Sequence, residues 1–491
     1  MEIKEIIAKR RNMPWREALR KTYSPKDRTA IDRVHMRELD PMYRITSLTE
    51  EVNQGLTEEQ ALLEARRCLD CAKPTCMEGC PVEIQIPSFI KEIERGDFRS
   101  AAKTLRETTS LPAVCGRVCP QERQCESRCV YLSMKKKAVA IGYLERFAAD
   151  WAREHQAVEE PIIAPSTGKK VAVVGSGPAG LSFAGDMAKF GYEVIVFEAL
   201  HEIGGVLKYG IPEYRLPNYV VDAEIELLKQ MGVQFETNTI VGATISYEDL
   251  HDMGFAGLFV GSGAGLPNFM NIPGENLIGV MSSNEYLTRV NLMNAGADQS
   301  ETPVFRGQNV AVIGGGNTAM DSVRTAKRLG AKRAMIVYRR SEEEMPARLE
   351  EIVHAKEEGV EFLTLHNPIE YTADENGRVA RMRLQKMHLG EPDASGRRKP
   401  IPTPNAIEEI PVEVVIVSIG VSPNPLIPNA ISGLKIGPKG TIVVNEKGAT
   451  DLADVYAGGD IVRGGATVIL AMGDGREAAR NMHQYLSQVA G

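Results

Sequence analysis

The chain has 491 residues, 43% of them hydrophobic and 25% charged, with a net charge of −7. That length suggests about three domains with sizeable cores, and the composition is that of an ordinary soluble globular protein. The acidic balance gives no general attraction to nucleic acid or an anionic membrane, and the longest apolar runs, such as 414–421, fall far short of the ~20 residues of a membrane span.

Residues 1–45 are rich in Arg and Glu without a clear apolar period, which reads as an extension or arm. They lack an apolar h-region and a cleavage site, so a cytoplasmic location is expected. From Thr57 the pattern turns helical: TEEQALLEARRCL opens with a Thr57-x-x-Gln60 capping box. Residues 83–109 and 139–155 also read as helices. All 8 cysteines lie between Cys68 and Cys129. They form two bursts, Cys68-x2-Cys71-x4-Cys76-x3-Cys80-Pro81 and Cys115-x3-Cys119-Pro120-x4-Cys125-x3-Cys129. Thiolates at such spacings converge on a soft metal centre, and Cys followed by Pro is a ferredoxin-type feature, although the x4 gap departs from that run. Zinc prefers separated C-x2-C pairs, and a disulfide framework needs an oxidising compartment. Two iron–sulfur clusters in a small helical domain is the expectation.

At Lys169 the texture changes. The strand Val171–Val174 runs into Gly175-x-Gly177-x-x-Gly180 and then a helix, and YEVIVFE follows as the next strand, ending at Glu198. The glycines allow a tight turn, close approach of a pyrophosphate and helix–strand packing, while an acid at the second strand end accepts from a ribose. A second unit spans 308–340, with Gly314-x-Gly316-x-x-Ala319. Its second strand ends in Tyr338-Arg339-Arg340-Ser341, where guanidinium groups suit a 2′-phosphate and an acid would repel it. The first site therefore reads as a flavin site and the second as an NADPH site. The turns at Gly204-Gly205 and Gly458-Gly459-Asp460 fit a flavin site assembled from separated segments.

GSGPAGL, EIGGVLKYGIPEYRLP (202–217), GGGNTAMD, YRRSEEEMPA, AGGDIVRGGATVILAMGDGREAA and CGRVCPQERQCESRC together resemble the small (beta) subunit of NADPH-dependent glutamate synthase, over roughly 50–491. The large subunit of NADH-dependent ferredoxin:NADP oxidoreductase and the N-terminal half of dihydropyrimidine dehydrogenase share the pattern. The resemblance implies an α/β fold with two Rossmann-like, glutathione-reductase-like domains, the NADPH domain inserted in a discontinuous FAD domain. The implied boundaries are a 1–45 extension, a 46–165 helical domain with two [4Fe-4S] clusters, FAD domain at 166–288 and 413–491, and NADPH domain at 289–412. It implies FAD contacts from Gly175, Gly177, Pro178, Ala179, Gly180, Glu198, Gly204, Gly205, Leu207, Arg215, Gly459, Asp460, Thr467 and Val468. NADPH contacts fall on Gly314, Gly316, Asn317, Thr318, Ala319, Arg339 and Arg340. One cluster falls to Cys68, Cys71, Cys76 and Cys129, and the other to Cys80, Cys119, Cys125 and Glu145, which leaves Cys115 as a packing residue.

The expected activity is hydride transfer from NADPH to FAD and single-electron transfer through the clusters to a partner protein, with no catalytic acid–base pair. The partner is a large glutamate synthase subunit, or alternatively a small flavoprotein in an electron-bifurcating ferredoxin/NADH/NADP oxidoreductase. A redox-sensing scaffold without turnover is the non-enzyme alternative. No cysteine lies outside the cluster segment, so a Cys-type glutaminase nucleophile is missing.

Overall fold

Near-continuous runs of Val, Ile and Ala, as in VAVV and VAVI, suit strands buried on both faces by helices, and the computed structural model places them so. It describes residues 3–488 apart from Glu160, Asp298 and Ser395. The first sheet is parallel, in the order Val455–Ala457, Phe255–Val260, Lys170–Val174, Glu193–Phe197, Gln234–Glu236. Its outer strand Val455–Ala457 comes from near the C-terminus, so this domain is discontinuous. The second sheet is also parallel: Val280–Ser282, Val414–Val417, Asn309–Ile313, Arg333–Tyr338, Glu361–Thr364.

The boundaries expected at 288/289 and 412/413 are corrected here. Both Val280–Ser282 and Val414–Val417 pair within the second sheet, so the inserted domain begins before Val280 and ends after Val417. Strand pairing between segments so far apart leaves no local signal. A three-stranded antiparallel sheet, His366–Ala373, Val379–Pro392 and Arg398–Pro411, extends the inserted domain.

The cysteine segment is helical as expected. Glu58–Arg67 begins at the Thr57–Gln60 capping box, with reciprocal side-chain to backbone bonds. Residues 83–109 form Ile86–Glu94 and Phe98–Arg106, and 139–155 form Ile141–Glu154. Helix Pro112–Val118 packs on the last of these so closely that a Cβ at Gly116 would lie 2.5 Å from the Arg146 nitrogen.

The N-terminal segment is more ordered than an arm. It contains the helices Ile3–Arg11, Pro14–Thr22 and Pro25–Ala30, pinned by arginines reaching into the cysteine domain. Buried Arg16 and half-buried Arg20 both bond Asp70, and buried Arg28 pairs with Glu94. An apolar-period reading misses such a segment because its anchors are charged. Among the described residues no helix is long and apolar enough to cross a membrane.

Candidate functional site

Both glycine turns open onto one cleft of about 1570 Å³ between the two sheets. In each, the first glycine has a positive φ, +94° at Gly175 and +142° at Gly314, which other residues rarely adopt. The second glycines, Gly177 and Gly316, have no atom within 4 Å of where a Cβ would stand, leaving their backbone open to the cleft. Helices Pro178–Lys189 and Asn317–Arg328 start directly after them, and neither has a side-chain N-cap. Their first N–H groups are therefore available to a pyrophosphate. At Gly180 a Cβ would run into the Gly175 carbonyl. This third glycine, like buried Ala319 in the second unit, serves close packing and does not line the cleft.

Pro178, Ala179, Gly205, Asn317 and Thr318 line the cleft, as do Gly459, Asp460, Thr467 and Val468. Glu198 lines it too, its carboxylate fixed by the Ser176 amide (2.9 Å), the Ser176 hydroxyl (2.6 Å) and the Leu200 amide (2.9 Å). Gly204 donates to the Ser176 hydroxyl at 3.0 Å and so supports the turn from behind. Leu207 is fully buried and packs beneath the cleft. Asp460 accepts from the Ala466 amide at 2.9 Å, and burial pushes its carboxyl up.

Two of the arginines have fixed partners. Arg215 touches the cleft, but its guanidinium is committed to Asp321 at 2.7 Å and Glu351 at 3.0 Å in the inserted domain. Arg340 also borders the cleft, but it is buried and donates to the Arg398 carbonyl at 2.8 Å and to Asp393 at 2.6 Å. Arg339 is exposed and lines the cleft. Arg397 and Lys439 line it as well. The sequence reading missed both, because a hairpin tip and a distant loop deliver them.

The thiols gather as two sets. Among the described residues all eight are free. Cys68, Cys71, Cys76 and Cys129 line one small cavity, shared with Tyr131 and Ile141. Burial pushes the Cys68 thiol up to about 11, partly offset by Lys91. The second set surrounds Glu145. Burial raises Cys80 to about 12, with Glu145 and Cys115 adding to the shift. The Cys119 thiol is raised by a hydrogen bond with Cys115 and by burial, the Cys125 thiol by burial, and Glu145 contributes to both.

Glu145 itself is buried, its Oε1 has no hydrogen-bond partner, and burial followed by repulsion from Glu224 lifts its carboxyl to about 8. A buried unpartnered carboxylate among thiols is the donor set that a cationic metal centre satisfies. Cys115 is fully buried, its sulfur 3.5 Å from that of Met472. Asp70, inside Cys68-x2-Cys71, has φ +54° and receives Arg16 and Arg20. The N-terminal helices thereby brace the first thiol loop, a role invisible in the spacing alone.

The final helix links these regions. Val468–Gln488 begins in the cleft, and a Cβ at Gly473 would lie 3.0 Å from Pro81, the residue after Cys80. With Met472 against Cys115, its first turns join the cleft wall to the second thiol set.

Residues 44–157 match the family described as dihydropyrimidine dehydrogenase domain II, 4Fe-4S cluster, and 169–475 match the pyridine nucleotide-disulphide oxidoreductases. The chain is 37% identical to the glutamate synthase [NADPH] small chain of Escherichia coli, over 89% of this chain and 93% of that one. It is also 37% identical to the NADP(+)-dependent formate dehydrogenase subunit beta of Moorella thermoacetica, over 84% of this chain and 60% of that one. Among solved structures, Mycobacterium tuberculosis FprA in complex with NADPH superposes with a TM-score of 0.55 at 20% identity, covering 66% of this chain and 85% of that one. That likeness shows the fold.

Proposed function

The chain belongs to the pyridine nucleotide-disulphide oxidoreductases, in the branch that carries a 4Fe-4S domain and includes the glutamate synthase small chains, and on that premise we propose that it is the electron-input subunit of a glutamate synthase. It is an NADPH-dependent FAD/iron–sulfur oxidoreductase. The observation that carries the proposal is the single cleft lined by both glycine turns, joined by helix Val468–Gln488 to the thiols around Glu145. The coverage supports the choice of partner. The glutamate synthase small chain is matched over nearly its whole length, the formate dehydrogenase subunit over 60% of it.

The roles of the residues follow from their placement. Gly177 and the start of helix Pro178–Lys189 would hold the flavin pyrophosphate, Glu198 its ribose, and Asp460 with the Thr467–Val468 backbone its other end. Gly316 and helix Asn317–Arg328 would hold the NADPH pyrophosphate, with Arg339 at the 2′-phosphate. Cys68, Cys71, Cys76 and Cys129 would hold one [4Fe-4S] cluster; Cys80, Cys119, Cys125 and Glu145 would hold a second. Held by these residues, FAD would supply a hydride acceptor for NADPH, and iron–sulfur clusters would supply single-electron transfer onward. The chain's own groups bind and orient, and no side chain is needed as a proton carrier.

The reading predicts FAD and about eight irons per chain, with Cys68→Ala and Cys119→Ala each losing one cluster's spectrum. The chain alone should reduce a tetrazolium dye with NADPH and form no glutamate from glutamine and 2-oxoglutarate. A large glutamate synthase subunit should restore glutamate formation. Stoichiometric zinc without acid-labile sulfide, or glutamate made by the single chain, would overturn the proposal.

A further inference from the structure

Of the second set Cys119, Cys125 and Glu145 are buried and Cys80 is half-buried, whereas Cys68, Cys71, Cys76 and Cys129, which share one cavity, are all half-buried. The second set adjoins the helix that starts in the cleft; the first lies nearer solvent. Electrons entering at the cleft would therefore leave on the Cys129 side.

Directly after Cys129 the chain makes a tight helical turn, Val130–Met134. Tyr131 points inward, fully buried, its hydroxyl donating to the carbonyls of Arg67 (2.6 Å) and Arg28 (3.1 Å). Its neighbours point outward: Val130, Leu132 and Met134 are 39%, 47% and 40% exposed. Lys135 closes the turn at φ +55°, with its amide on the Leu132 carbonyl at 3.0 Å. The Arg67 guanidinium fixes the following chain through the carbonyls of Lys137 (2.6 Å) and Ala138 (3.0 Å). The three apolar side chains are thus presented on a rigid support.

Cations surround them. Arg128, Lys135, Lys136 and Lys137 are exposed, and the Thr75 hydroxyl on the Arg128 carbonyl (2.6 Å) brings exposed Lys73 alongside. Lys136 reaches the Thr29 carbonyl, and exposed Glu78 is a carboxylate on the same side. In a chain of net charge −7, this is a local basic surplus around an apolar centre. That is the anatomy of a steered protein interface.

We propose that the 127–137 face, with Lys73, docks the electron-accepting partner, a redox protein or subunit with an acidic rim around an apolar patch. A second copy meeting this face about a twofold axis would set lysine against lysine. The proposal rests on the electron-input reading, and its test separates the two.

The probes are two electron-accepting proteins of opposite charge, acidic plastocyanin and basic mitochondrial cytochrome c. With plastocyanin the reaction is NADPH + 2 Cu(II) → NADP+ + 2 Cu(I) + H+. The intact holoprotein should reduce plastocyanin at a rate that falls as salt rises. Lys135→Glu with Lys136→Glu and Lys137→Glu should lower that rate at least tenfold and raise the cytochrome c rate. Calorimetry should show oxidised plastocyanin binding this variant at least tenfold more weakly. Leu132→Ser with Met134→Ser should weaken plastocyanin binding without changing its salt dependence. Tetrazolium reduction by NADPH should match the parent in both variants. Unchanged plastocyanin rate and affinity in the lysine variant would overturn the docking face, as would parent self-association that the variant loses. Absence of tetrazolium reduction in the parent would overturn the electron-input reading instead.

Discussion

At the scale of single residues, a charged side chain means what its partners make it mean. Arg339 and Arg340 are adjacent in sequence, read alike there and both border the cleft, yet the Arg340 guanidinium is buried against Asp393 and the Arg398 carbonyl while Arg339 is exposed. Only the exposed guanidinium is free to turn toward a phosphate; the buried one ties the hairpin tip to the end of strand Arg333–Tyr338. A charged hydrogen bond contributes about 1.5–3 kcal/mol. Arg339→Ala should therefore raise KM for NADPH by roughly tenfold to a hundredfold and barely alter KM for NADH. Steady-state dye reduction with both nucleotides measures this. Equal losses with both would assign Arg339 to the fold rather than to the phosphate. Glu145 makes the same point in reverse: helical periodicity alone does not distinguish it from a surface glutamate, the family resemblance singles it out, and its burial and orphaned oxygen are visible only in the fold.

At the scale of elements, helix Val468–Gln488 does more than its amphipathic pattern suggests. It packs along helix Pro178–Lys189 so closely that a Cβ at Gly475 would run into the Ala179 carbonyl, with the Phe183 nitrogen 3.1 Å away. Backbone cannot step aside as a side chain can, so Gly475→Ala forces the two helices apart. Overpacking of this kind costs about 1–3 kcal/mol, and here it also shifts the helix starts that line the cleft at Ala179 and Val468, where the proposed function puts the flavin. The variant should bind FAD more weakly and melt lower; unchanged flavin content and Tm would show that the helices tolerate the methyl group. The N-terminal helices are a second case. Their tertiary anchors, Arg16, Arg20 and Arg28, lie on charged faces, so hydrophobic periodicity gives no hint that they brace the thiol loop.

At the scale of the whole molecule, the orientation of the domains is held by buried charge. Arg215 of the discontinuous domain bonds Asp321 and Glu351 of the inserted domain, and Glu351 also pairs with Arg324. From the other side Arg123 donates to the carbonyls of Met345, Pro346 and Ala347, and Arg348 to the Arg117 carbonyl and the Gln121 side chain. The loop between Cys119 and Cys125 therefore grips the segment that follows strand Arg333–Tyr338. Arg215→Met leaves Asp321 and Glu351 without their shared cation, and breaking a buried pair costs about 3–5 kcal/mol. Denaturant unfolding should show that loss, with the inserted domain loosening first. Parent-like stability would mean the domains are held by other contacts.

The sequence by itself determined the chemistry-bearing units, because each is local. Gly175-x-Gly177-x-x-Gly180 and Gly314-x-Gly316-x-x-Ala319 carry their geometry within one strand–turn–helix, the Thr57–Gln60 box spans one helical turn, and each cysteine burst spaces its thiols over a few residues. The tertiary structure decided everything that depends on distant segments meeting. It joined Val280–Ser282 and Val414–Val417 to one sheet, divided the thiols into a half-buried set and a set around Glu145, and committed Arg215 to Asp321. It also brought Arg397 into the cleft. Such contacts form because burying apolar strands and pairing buried charges lowers the free energy of the whole chain, and no window of a few residues records which far segment supplies the partner.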